Sequence, residues 1–128
     1  MKAWKIYLVV NSILAILFGL AFLFVPQQFS SGYGLVLGSA GLVFARGIGS
    51  TLVGLGLIMW FVRGSKDPQT VRAICIGGIA VHVLNGGSDF MAMSGGIINS
   101  SAMGSVVMHV VLAAGFAYFL IKNPVKYS

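Results

Sequence analysis

Apolar residues in this chain are gathered into long runs, and polar residues are confined to short breaks between them. Residues 6–25 form one such run, interrupted only by Asn11 and Ser12 and closed by Pro26. Residues 102–121 form another, closed by Lys122, Asn123 and Pro124. Two more, 46–62 and 72–93, flank the stretch from Arg63 to Arg72, the clearly water-soluble loop of the sequence. Each run falls within the roughly 17–25 residues a helix needs to cross the hydrocarbon core of a bilayer. Asp67-Pro68 marks a turn in the loop, with Asp67 placed to cap a helix opening near Pro68. The pattern predicts an all-α polytopic membrane protein, a four-transmembrane-helix bundle forming one domain over residues 1–128.

Residues 27–44 break the pattern. They begin polar and carry Gly32, Gly34, Gly38 and Gly41. Joined to the second span, they would bury Arg46 near the middle of one long helix. Set apart as a short interfacial or re-entrant segment, they leave Arg46 at the mouth of that span. The second arrangement is favoured, because an Arg at the bilayer centre costs about 2.5–3.5 kcal/mol on insertion scales.

Composition strengthens the membrane reading. The chain is 58% hydrophobic and 8% charged, against about 25% charged in soluble domains. Its mean hydropathy is +0.98. A single cysteine, Cys75, excludes a disulfide scaffold and reads as a packing residue. The net charge of +6 does not imply nucleic-acid binding, since the basic residues are scattered singly and form no patch. Their distribution instead sets orientation. With four spans, Lys2, Lys5, Arg63, Lys66, Arg72, Lys122 and Lys126 share one side, and only Arg46 lies opposite. The positive-inside rule then places both termini in the cytoplasm, with the plasma (bacterial inner) membrane as the expected location. The first apolar run exceeds the roughly 7–15 residues of a signal-peptide core and lacks a cleavage site, so it reads as a span.

Gly, Ala and Ser are abundant, with 18 glycines. Helices in lipid associate through close backbone contact rather than hydrophobic burial. The second span carries Ala45-x-x-x-Gly49 and Ser50-x-x-x-Gly54; the third carries Gly77-Gly78 and Gly86-Gly87. Gly49, Ser50, Gly54, Gly77, Gly78 and Gly86 are therefore candidate packing positions, and the second and third spans are expected to cross closely. An alternative use of some glycines is to make room for a flat ligand.

Ionisable residues inside spans are functional candidates by default. Here they are Arg46, His82, Asp89 and His109, with Asn85 beside them. His82, Asn85 and Asp89 share one helix face by their i, i+3, i+7 spacing. By helical rise, His109 is level with Asn85 and Gly86. Arg46 and Asp89, opposite in charge and similar in depth, are expected to form a salt bridge with His109 as a third partner. The cluster reads either as a clasp that fixes helix register or as a site for ligand or protons. Gly78 and Ser105, each four residues before a histidine, raise the idea of a haem or other macrocycle. No metal-ligand spacing, nucleophile elbow or phosphate loop is present, and no cofactor can be named.

Arg46-Gly47 opening the second helix, Gly54-Leu-Gly56 within it, Asp89 late in the third and His109 early in the fourth make the chain resemble a group of small bacterial four-helix membrane proteins of uncharacterised function. A more distant likeness is to the ergosterol-biosynthesis scaffold protein of fungi, which tethers enzymes and is not itself a catalyst. The resemblance implies a compact bundle with no established activity, and His82 is not part of its pattern. The small multidrug transporters are similar in size but need an acidic residue in the first helix, which is missing here. Three functions remain open. The first is a non-catalytic accessory, scaffold or assembly subunit that partners other membrane subunits or itself. The second is a binder of an apolar ligand or pigment (quinone, isoprenoid, carotenoid or tetrapyrrole) near the polar cluster. The third is a proton-coupled carrier or membrane enzyme using Asp89 and His109.

Overall fold

The computed structural model describes residues 2–122; Asn123, Pro124 and Lys126, invoked above, lie outside them. Four long helices, α1 (Lys2–Phe24), α3 (Ser39–Val62), α4 (Pro68–Ser94) and α5 (Met103–Lys122), make up most of the chain. A short helix, α2 (Pro26–Ser31), joins α1 to α3, and a 3₁₀ turn at Ser100–Ala102 leads into α5. All four long segments are apolar and long enough to cross a bilayer. Their outward surfaces carry residues such as Phe24, Phe44, Leu84 and Ile121, each more than two-thirds exposed, as suits a surface that faces lipid. The protein is an all-α, multi-pass membrane protein.

Local chemistry sets the helix ends. Asp67 caps α4, accepting hydrogen bonds from the backbone N–H of Gln69 at 3.3 Å and of Thr70 at 2.8 Å, while Pro68 occupies the first turn without wasting a donor. These bonds, the Thr70 hydroxyl first among them, hold the Asp67 carboxyl below its ordinary pKa. At the end of α3, Arg63 donates to the Trp60 carbonyl and lies over its ring, 4.1 Å from the centroid. α2 remains separate from α3, but α3 begins at Ser39 rather than at residue 46. Arg46 therefore stands about 10 Å along the helix, not at its mouth.

The bundle is two antiparallel pairs, α1 with α3 and α4 with α5. In the first, Ser12 faces Gly56 and Gly19 faces Gly49, and the Ser12 hydroxyl donates to the Gly56 carbonyl at 2.7 Å. A Cβ on Gly49 would lie 2.7 Å from the Gly19 carbonyl oxygen, so the two backbones touch. In the second pair, glycine makes room for rings: Phe116 fills the face of Gly78, and the Cβ of His109 packs on Gly86. The expected close crossing of the second and third spans does not occur. α3 and α4 barely touch, because the small residues of α3 that pack (Ala45, Gly49, Gly56) face α1 instead.

The pairs are fastened at both ends. Where α1 begins and α5 ends, which we call the near end, Trp4, Leu8, Val71, Cys75 and Phe116 form a buried cluster. Beside it the Tyr7 hydroxyl donates to the Leu112 carbonyl, and Gly115 makes room for the Tyr7 ring. At the far end the two connecting segments are bonded to each other. The Asn99 N–H donates to the Tyr33 carbonyl at 3.0 Å, and the Ser101 hydroxyl and Asn99 amide donate to the Gly32 carbonyl. Gly34, at φ +79°, supplies the left-handed residue that turns the chain beneath Asn99.

Candidate functional site

Fastened at both ends and separated between them, the pairs flank a half-open cavity of about 580 Å³. Its walls are mostly apolar: Leu14, Phe18 and Phe22 from α1, Leu52 and Leu55 from α3, Ile74 and Val81 from α4, and Met108 and Leu112 from α5. Phe29 and Tyr33, from the segment between α1 and α3, line it together with Ile97 and Ile98 from the opposite connection.

One side of this cavity is polar. His82, Asn85, Ser88 and Asp89 reach it from α4, and Ser105 and His109 from α5. The antiparallel register puts His109 between the other two ionisable groups. Its Nδ1 is 2.9 Å from Nδ1 of His82, and its Nε2 is 3.9 Å from Oδ2 of Asp89. The same Oδ2 accepts a 2.6 Å bond from the Ser105 hydroxyl, a length typical of a hydroxyl donating to a charged carboxylate. His82 also stacks on Phe116, with ring centroids 5.7 Å apart. Contact between two Nδ1 atoms requires that one carry a proton and the other not. If His82 donates and His109 accepts, both rings are satisfied uncharged, and His109 presents Nε2–H toward Asp89. Tyr33 lines the cavity from the far end; burial, then the Asp89 carboxylate, raises its pKa above the ordinary phenol value. The phenol is therefore protonated at neutral pH and able to donate.

Arg46 is not part of this site. The only ion-pair contact among the described residues is His109 with Asp89, so the expected bridge between Arg46 and Asp89 is absent. The reason is helical phase: at about 100° per residue, Arg46 points roughly 160–180° away from Ile48 and Leu55, which line the cavity. Arg46 is exposed on the outside of the bundle, where its long stem can carry the guanidinium toward the membrane surface. Asn85 lines the cavity, but its amide donates back to the Val81 carbonyl of its own helix at 2.8 Å. Asn11, the other amide at the cavity wall, likewise bonds within its helix, to the Tyr7 carbonyl at 2.9 Å.

The candidate packing residues divide similarly. Gly49, Gly78 and Gly86 meet a neighbouring helix, whereas a Cβ on Gly54 or Gly77 would meet nothing within 4 Å, and Ser50 is exposed, bonded to the Arg46 carbonyl. Gly54 faces outward and Gly77 faces the cavity. The small residues once suited to a macrocycle are occupied, Gly78 by Phe116 and Ser105 by Asp89, and no flat ring fits between histidines in direct contact. Residues the sequence reading passed over are Tyr33 at the site and Gly19 and Gly115 in packing. Comparison with known proteins finds no matching family, curated protein or solved structure, so neither the bacterial group nor the fungal scaffold gains support from it.

Proposed function

We propose that the protein holds one small amphipathic molecule between its helix pairs, with the apolar body along α3 and α4 and the polar end at Asp89. The observation that carries this reading is the cavity. Its volume of about 580 Å³ lies within the roughly 300–1,000 Å³ of small-molecule sites, and an apolar wall with a few convergent polar groups is their usual composition. A gap this large forfeits dispersion contacts along its lining unless something fills it. Because α3 and α4 barely touch, a molecule dissolved in the bilayer has a lateral route in. The basic residues of the near end support a cytoplasmic placement for it in a bacterial plasma membrane, with the Asp89 cluster toward the opposite leaflet.

The test uses Gly77, where a side chain meets only cavity. Native mass spectrometry of protein released from its own membrane should show a bound small molecule that Gly77→Trp lacks. Identical, unliganded spectra for both proteins would reject the reading.

A second reading, assembly with itself or with another membrane subunit, is favoured by one observation. Gly47 and Gly54 have no neighbour and lie with Ser50 on exposed α3 surface, where close helix approach remains possible. The sequence likeness to the bacterial group and the fungal scaffold belongs with this reading. Gly54→Leu should then shift the protein toward monomer in mild detergent; an unchanged size distribution would remove its support.

A further inference from the structure

We infer that the polar end of the occupant is an ammonium group, so that the cavity takes a lipophilic amine. The inference rests on the proposed ligand-binding reading and adds the charge of the headgroup. Asp89 is the sole carboxylate inside the spans, and its side chain is one-third exposed at the cavity wall. The groups that approach it from the protein are the Ser105 hydroxyl, His109 Nε2 and the Tyr33 phenol. None of these needs a positive charge in the arrangement described above. The one far-side cation, Arg46, points away. A carboxylate in apolar surroundings without a cation is costly, and an occupant that brings one removes the cost.

Two further features fit an ammonium in particular. Asp89, Ser88 and Asn85 lie on one face of α4 along the cavity. Oδ1 of Asn85 stays free as an acceptor because Nδ2 makes the bond to Val81. A carboxylate, an amide oxygen and a hydroxyl together match the three N–H donors of a primary ammonium. The same cavity carries a chain of rings: Phe29 packs against Phe18 at 5.7 Å, Phe22 at 4.7 Å and Tyr33 at 5.7 Å between centroids. Aromatic rings and a carboxylate lining one cavity are a favourable setting for an organic cation. A phosphate on the same headgroup would find no cation of its own facing the cavity. A singly charged amine therefore fits better than a zwitterionic headgroup.

The experiment is calorimetric titration of the purified full chain in nonionic detergent, with empty micelles as the reference. The probes are dodecylamine, dodecanol, dodecanoate and dodecylphosphoethanolamine, which share one chain and differ in the head. The wild type should bind dodecylamine at least tenfold more tightly than dodecanol, with dodecanoate weakest. Asp89→Asn should bring the amine within threefold of the alcohol. Asn85→Ala and Phe29→Leu should each weaken the amine several-fold and the alcohol by clearly less, a selective loss that guards against an Asp89 variant that fails to fold. Dodecylphosphoethanolamine should bind more weakly than dodecylamine; equal binding would keep the ammonium, assign its source to a lipid headgroup and overturn the preference for a singly charged amine. Equal binding of amine and alcohol, both lost in Gly77→Trp, would overturn the ammonium inference while keeping the cavity as a ligand site. If no probe binds, both fail.

Discussion

The two helix pairs are built on opposite plans. In α1 and α3 the interface is backbone against backbone: Gly19 on Gly49, Ser12 on Gly56, with a single hydroxyl bond between helices. In α4 and α5 side chains fill the glycine faces, Phe116 on Gly78 and the His109 Cβ on Gly86, and beyond the apolar cluster of Val71, Cys75 and Phe116 a polar chain runs from His82 through His109 to Asp89 and Ser105. Each pair directs its polar groups differently. The first pair uses Ser12 to close a dry seam, whereas the second turns its polar groups toward a cavity in which they have valence to spare.

That contrast is most severely tested by crowding the seam. Gly49→Val should destabilise the protein in detergent by about 3 kcal/mol, because the new atoms meet backbone rather than movable side chain. Gly54→Val, one turn on and facing open space, should cost less than about 0.5 kcal/mol. Reversible unfolding of the two variants compares them directly, and similar losses would break the distinction. The Ser12 bond is a smaller effect. Ser12→Ala should cost about 0.6 kcal/mol, the typical size of such bonds between membrane helices, measured by the same unfolding.

In the second pair, His82→Phe keeps a ring on Phe116 and removes the nitrogen that faces His109. The loss in stability should be about 1 kcal/mol, and the His109 ring resonances should shift with it. An unchanged His109 spectrum would mean that the two rings do not share a proton. The smallest effect belongs to the Asp67 cap. Its carboxyl is held below the ordinary carboxylate pKa, so its contribution is full above the unfolded-state value and fades as pH falls through the lowered one. Asp67→Ala should lower the thermal midpoint slightly at neutral pH, and by less once the wild-type carboxyl is protonated and caps only through its neutral oxygen. Asp67→Asn should retain most of the capping.

The sequence made the four spans legible because each run had to be apolar throughout to lie in lipid, a constraint that leaves no ambiguity of period. It also indicated the level of His109, since rise per residue is fixed once a helix is granted. Partner choice was not legible. Ala45-x-x-x-Gly49 and Ser50-x-x-x-Gly54 look alike as text, yet they lie on different faces of α3, and only the first meets α1. The same loss of phase information hid the divergence of Arg46 from Asp89: equal depth in the membrane says nothing about which way a side chain points. Tyr33 carried no signal at all. It reaches the site through a loop whose path is set by hydrogen bonds of Gly32 and Tyr33 to Asn99 and Ser101, partners far along the chain.

On the proposed reading, the small molecule occupies the space between α3 and α4. Photolabelling of the protein in lipid nanodiscs with dodecylamine carrying a diazirine in its chain, mapped by peptide mass spectrometry, tests it directly. Labels should concentrate on Leu52, Leu55, Ile74 and Val81, which line the cavity, and excess unlabelled dodecylamine should suppress them. Labels spread over Val43, Leu57 and Val83, which face outward, and undiminished by competitor would contradict the account.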